Sequence, residues 1–238
     1  MEKEFNVEAI ISVEDRQTLY KILYVGVSAY NRLINENRDL VVSKAFGEIK
    51  TRLLSFVVKR QFDKDLFPLD FPYKADFEKV NHFGNVALFI KNDKAKIHIN
   101  KTSKARKLYN SNKPSNYMLK EAKINSKYTN EIKFFTDKDD EVGVKEDSRV
   151  FMILGYGLKA EVIDHLDFLI PEANMRECLD VFDALDEYNK YIMDDIEEEE
   201  IESEIVALKD EALKFVNNFG RWKSYESHTI WRGKGEQD

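Results

Sequence analysis

No stretch of this sequence is apolar for long enough to cross a bilayer. The most apolar run lies between Arg149 and Leu158, far short of the ~20 residues a spanning helix needs. Cysteine is nearly absent: Cys178 is the only one, so no internal disulfide can form, and an oxidising compartment is not indicated. Glu177 and Asp180 lie beside Cys178 and would disfavour a thiolate, so it reads as a structural thiol and not a nucleophile. The nine glycines never fall as GxGxxG or GxxxxGK, which removes the usual phosphate-cradling loops. CxxC, HExxH and GxSxG are missing too, and the four histidines (His82, His98, His165, His228) show no metal-ligand spacing. The expectation is a cytoplasmic protein without a cofactor or a metal, and more a binding protein than an enzyme.

What the chain does have is charge, unevenly placed. Of 238 residues 34% are charged and the net charge is −7, which argues against indiscriminate attraction to nucleic acid. From Lys91 to Lys127 eleven basic residues stand against two acidic ones, a net of +9. From Glu161 to Lys214 four basic residues stand against nineteen acidic ones, a net of −15. Either the two regions neutralise one another or they face different partners.

Hydrophobic spacing divides the chain further. Ser12 and Asp15 form a capping pattern that opens a helix through about Ile34, with Leu19, Ile22, Leu23 and Val27 on its buried face. After a turn at Asn35 to Asn37, Val42, Phe46, Ile49, Leu53 and Phe56 predict a second helix from about Leu40 to Arg60. So short a link favours an antiparallel helical hairpin. Pro68 and Pro72 exclude helix between Phe62 and Phe83, where Phe67, Leu69, Phe71 and Tyr73 alternate as in an edge strand. Asn85 to Ile90 and Ala95 to Asn100, joined by Lys91 to Lys94, read as a β-hairpin. A helical turn is expected at Tyr117 to Ala122, a short strand at Ile132 to Phe135, and a central strand buried on both faces at Arg149 to Leu158. His165 to Pro171 is expected beside it.

From Asn174 to Phe219 there is neither Gly nor Pro. Cys178, Phe182, Leu185, Asn189, Ile192 and Ile196 form one apolar seam; Ile201, Ile205, Leu208, Ala212, Phe215 and Phe219 form another. This predicts a long acidic helix capped by Asn174, broken or bent at the five-residue step from Ile196 to Ile201. The reading is α+β: a helical hairpin over 1–62, an antiparallel sheet with a basic loop over 63–171, a long acidic helix or helical hairpin over 172–219, and a partly ordered tail over 220–238 carrying Trp222 and Trp231.

Three surfaces are candidates for function. Asp194, Asp195, Glu197, Glu198, Glu199 and Glu200 form the densest charge block. Such a block is ordinarily a solvated helix face, but carboxylates on a rigid helix also present a phosphate-like array to a protein partner. Tyr156, between Gly155 and Gly157, marks a bulge, bend or close approach; its functional version is a tyrosine displayed at a binding cleft, contacting a protein partner together with the acidic helix. The alternative is nucleic-acid binding or cleavage by the basic hairpin: Lys96, His98, Lys101, Lys104, Arg106 and Lys107 with Tyr109, a positive ridge beside an aromatic ring. A third reading, a metal-dependent hydrolase at Asp164, His165 and Asp167 beside Glu161, needs carboxylates and imidazole to converge.

The strand from Asn85 to Lys91, the following Ile97 to Asn100, Asn116 to Leu119, and Phe151 to Leu158 ahead of His165 to Pro171 resemble a family of uncharacterised proteins from low-GC Gram-positive bacteria and their phages. The resemblance covers about Leu40 to Pro171 and brings no catalytic residues. It implies a phage or mobile-element setting, in which a small acidic protein acts by binding a host or defence protein. The expectation is therefore a protein-binding protein, an inhibitor of a defence or nucleic-acid-processing enzyme, with self-association through the apolar seam as a further option and no membrane partner.

Overall fold

A computed structural model describes residues 6–42, 44–62, 71–81, 86–101, 115–128 and 148–195. The described residues divide into two compact units: one holds those up to Tyr24 together with those from Lys59 to Asp195, the other holds Val25–Val58.

The first unit is built on a six-stranded sheet in sequential order: β1 (Lys74–Lys79), β2 (Val86–Lys91), β3 (Ala95–Lys101), β4 (Val150–Lys159), β5 (Val162–Pro171) and β6 (Cys178–Asp183). The α+β class expected from sequence holds, but the sheet is mixed. All neighbours pair antiparallel except β3 and β4, which run parallel with Ala95 opposite Val150 and Lys101 opposite Tyr156. A tight turn reverses a strand, whereas the long connection from Lys101 to Val150 lets the chain return in the same direction. Asn92 closes the β2–β3 hairpin: its Oδ1 accepts the Lys94 and Ala95 N–H groups at 2.9 and 2.7 Å. β4 is the central strand, buried from Val150 to Gly157, because both sheet faces are covered.

One face carries Ala87, Phe89, Phe151, Ile153 and Leu169. It packs against Met118 and Ala122 of α5 (Asn116–Ala122) and against Met175. Asn125, in the 3-10 turn Lys123–Tyr128 that follows α5, is fully buried. Its amide accepts the Phe151 N–H at 2.8 Å and donates to the carbonyls of Phe151 and Pro171 at 2.9 and 2.8 Å, tying this turn to two strands. The opposite face meets α1 (Val7–Ile10), the first half of α2 (Val13–Glu36) and α6 (Leu185–Asp195). Ser12 caps α2 as its sequence predicts, Oγ accepting the Asp15 N–H at 3.1 Å. Arg16, only 2% exposed, holds α6: its Nε and Nη2 form a two-pronged bond with Glu187 at 2.9 and 2.8 Å, Nη1 donates to the Ile11 carbonyl at 2.9 Å, and the guanidinium lies over the Phe182 ring.

In the second unit the remainder of α2, α3 (Arg38–Val41) and α4 (Lys44–Gln61) up to Val58 match the two helices read from the sequence. Tyr30, Leu33, Ile34, Phe46, Leu53, Leu54 and Val57 supply its buried apolar positions.

The long helix expected from Asn174 is corrected in its first third. Residues 178–183 are β6, and α6 begins only at Leu185. Asn174 accepts the Arg176 N–H at 2.7 Å in a local turn and does not cap a helix. Cys-Leu-Asp-Val-Phe-Asp carries its apolar residues at helical spacing, and pairing with β5 decides for strand. The second apolar seam, Glu197–Glu200, the strand expected at Ile132 to Phe135, and the tail with Trp222 and Trp231 lie outside the described residues.

Candidate binding surfaces

The basic hairpin is not the solvated ridge its alternation suggests. Lys96 and His98 do share a face of β3, but it is the face beneath α5, and they are 6% and 3% exposed. Lys96 Nζ is bound by Glu121 of α5 and by Glu78 at 3.1 Å, and it sits 4.3 Å from the centroid of the Phe89 ring. Lys91 is held by Asp76 at 2.7 Å and by Glu78. Burial raises the Glu78 carboxyl, but hydrogen bonds from Lys91 and Lys96 outweigh that and hold it below the usual range. Burial likewise disfavours the Lys91 ammonium, and its two carboxylate partners reverse the balance and raise it.

His98 Nδ1 lies 3.0 Å from the Leu88 carbonyl, so it carries the proton and donates. Nε2 then accepts from the Tyr117 hydroxyl at 3.1 Å. Burial pushes the imidazole down to about 4, so the ring is neutral and serves as a strut between β2 and α5. Neither Lys96 nor His98 is open to a phosphate backbone, which corrects the reading of these two as nucleic-acid contacts. Lys101 closes β3, half-buried and already engaged. Lys104, Arg106, Lys107 and Tyr109 lie outside the described residues.

Tyr156 is corrected as well. It is 1% exposed, and burial raises its phenol above the ordinary range, so it is core and not a displayed contact. The glycines beside it do what the sequence suggests. The β4–β5 register shifts between Gly157 and Leu158, and a Cβ on Gly157 would lie 1.9 Å from the His165 ring. Across the shift Asp164 is the extra residue, which brings its Oδ1 to 3.2 Å from His165 Nδ1 despite their adjacency in a strand. The ring is thus seated over a glycine notch. Asp167, 5% exposed, is on the same strand, but among the described residues no group of three His, Cys, Asp or Glu converges to hold a metal ion.

The acidic side remains. Between Glu161 and Asp195, eleven acidic residues stand against Arg176 and Lys190. Glu161, Asp164, Glu177, Asp183 and Asp186 are exposed along the β5–β6 end of the sheet, beside Val162 and Val181, which are 62% and 40% exposed. Asp194 and Asp195 end α6. That helix is rooted firmly: Tyr188 meets Tyr20 edge-on at 5.9 Å, Tyr191 packs at 6.4 Å, and the Tyr20 hydroxyl donates to Glu187 at 3.0 Å. Burial first, and then Glu187, push the Tyr20 phenol up, so it stays a donor.

Sequence reasoning missed the partners that neutralise the hairpin. Glu78 was legible in principle: it shares the two-residue period of Lys74 and Asp76 on β1. Arg16 shares the buried face of Leu19, Tyr20 and Leu23 on α2, a spacing that marks an interior arginine. Asn125 carried no signal. Comparison with protein-family models, with curated proteins and with solved structures found no match. No helix among the described residues is long and apolar enough to cross a membrane.

Proposed function

We propose that this protein acts by binding another protein through its acidic C-terminal quarter. The supporting observation is where the hairpin's charge goes. Lys91 and Lys96 are matched by Asp76, Glu78 and Glu121, all outside the acidic region, so these lysines do not neutralise it. Arg16 holds Glu187, and the net negative charge of the stretch from Glu161 onward supports a field able to steer and orient a basic partner. In the phage or mobile-element setting that the family resemblance implies, that partner is a host or defence protein, and a nucleic-acid-processing enzyme fits because its own substrate groove is basic.

Affinity capture from a bacterial lysate tests this, comparing the native chain with one in which Glu197, Glu198, Glu199 and Glu200 are all changed to lysine. The reading expects a captured protein that the reversed variant loses at physiological salt, with unchanged thermal unfolding. Retention of every captured protein by the variant would refute it.

A further inference from the structure

We propose that the outer edge of β6 is a docking line for an extended basic segment of a partner protein, which joins the sheet as an added strand. The proposal rests on the acidic-surface reading for the sign of the partner's charge, but not on the run from Asp194 to Glu200.

β6 ends the sheet, with β5 as its neighbour. The Ala184 N–H donates to the Leu166 carbonyl at 2.8 Å, which sets the phase of the ladder. In an antiparallel pair, residues turned toward the neighbour alternate with residues turned away. Phe182 and Asp180, opposite Phe168 and Ile170, are therefore turned toward β5. Val181 and Asp183, opposite Leu169 and Asp167, direct their N–H and C=O groups outward. The Val181 side chain is 40% exposed beside them.

Edges are commonly blunted by lysine or proline. β1, at the far side of the sheet, carries Lys74 and Lys79, whereas Cys178–Asp183 contains neither residue type. The β5–β6 register shift lies between Ile170 and Pro171, so the ladder is regular from Asp180 to Asp183.

The charge selects the occupant. A second copy pairing edge to edge with Asp183 opposite Asp183 would set like charges across the strands, which repel. Glu177, Asp183 and Asp186 are exposed along the same margin. They favour a strand carrying Lys or Arg in alternation with an apolar residue that meets Val181. Backbone bonds would supply affinity and alternate side chains specificity.

The probe is a short peptide in which lysine and valine alternate, titrated by fluorescence anisotropy and compared with the same peptide N-methylated at every second residue. The native chain should bind the first at least ~10-fold more tightly than the second, the scale of a few lost backbone bonds. Val181→Pro, which deletes an outward N–H together with the exposed valine side chain, should weaken binding at least as much, and hydrogen exchange at the Val181 amide of the native chain should slow when the unmodified peptide is added. Equal binding of both peptides, or no change in Val181 exchange, would overturn the proposal even if Val181→Pro proved unstable. Failure of the edge reading and failure of the acidic-run reading are separable. Loss on lysine substitution of Glu197 to Glu200 with normal Val181→Pro binding removes the edge alone; the reverse pattern removes the acidic run alone.

Discussion

At the scale of single residues, His98 carries the clearest pH dependence. Its folded value of about 4 lies below the ordinary 6.5, so the unfolded chain takes up a proton first as pH falls. The stability it contributes is complete above about 6.5 and is lost as pH drops toward 4, on the order of 3 kcal/mol in all. Glu78, also held low, adds a second loss below the ordinary carboxylate range. Urea unfolding across this pH interval checks the first effect, since His98→Gln should flatten the upper part of the curve. Gly157 gives a second prediction. Gly157→Ala should cost roughly 2 kcal/mol by overpacking against the His165 ring, and adding His165→Ser should recover most of it, as read by the thermal midpoints of the single and double variants. The glycine pair was legible as a bulge because glycine in a strand has few other uses. That His165 fills the notch was not, because the residues pair only once β4 and β5 are in register.

At the scale of elements, β6 and α6 show where periodicity stops deciding. The seam from Cys178 to Ile196 fits a helix throughout, yet β5 offers a free ladder and the chain takes it as far as Asp183. Beyond Asp183 the chain is helical because the Asp183 carboxylate accepts the Leu185 N–H at 3.1 Å and Glu187 reaches Arg16. The hairpin of β2 and β3 and the central strand β4 were readable from local pattern, since turn chemistry and a dense apolar run specify them without help from distant residues. The parallel join of β3 to β4 depends on a long connection, and no local pattern encodes it. Arg16→Leu should leave Glu187 without its guanidinium partner and cost about 3 kcal/mol. Hydrogen exchange should then quicken across α6 while β2 and β3 keep their protection; uniform loss of protection would show that this contact does not act locally.

At the scale of the whole molecule, the sequence divides its charge into a basic stretch of +9 and an acidic one of −15, and the structure matches Lys91 and Lys96 of the hairpin with neighbouring carboxylates. Burial of Lys96 and His98 removes two of the groups on which a nucleic-acid ridge would depend, and the proposed binding rests on the field of the acidic stretch. Such a field acts on encounter more than on residence, so a captured partner should associate more slowly as ionic strength rises, with a weaker effect on dissociation. The central claim is tested most directly by the affinity of that captured partner, purified and measured against the native chain from low to high salt. The account predicts a steep fall in affinity as salt rises, carried by the association rate. An affinity indifferent to salt would contradict it.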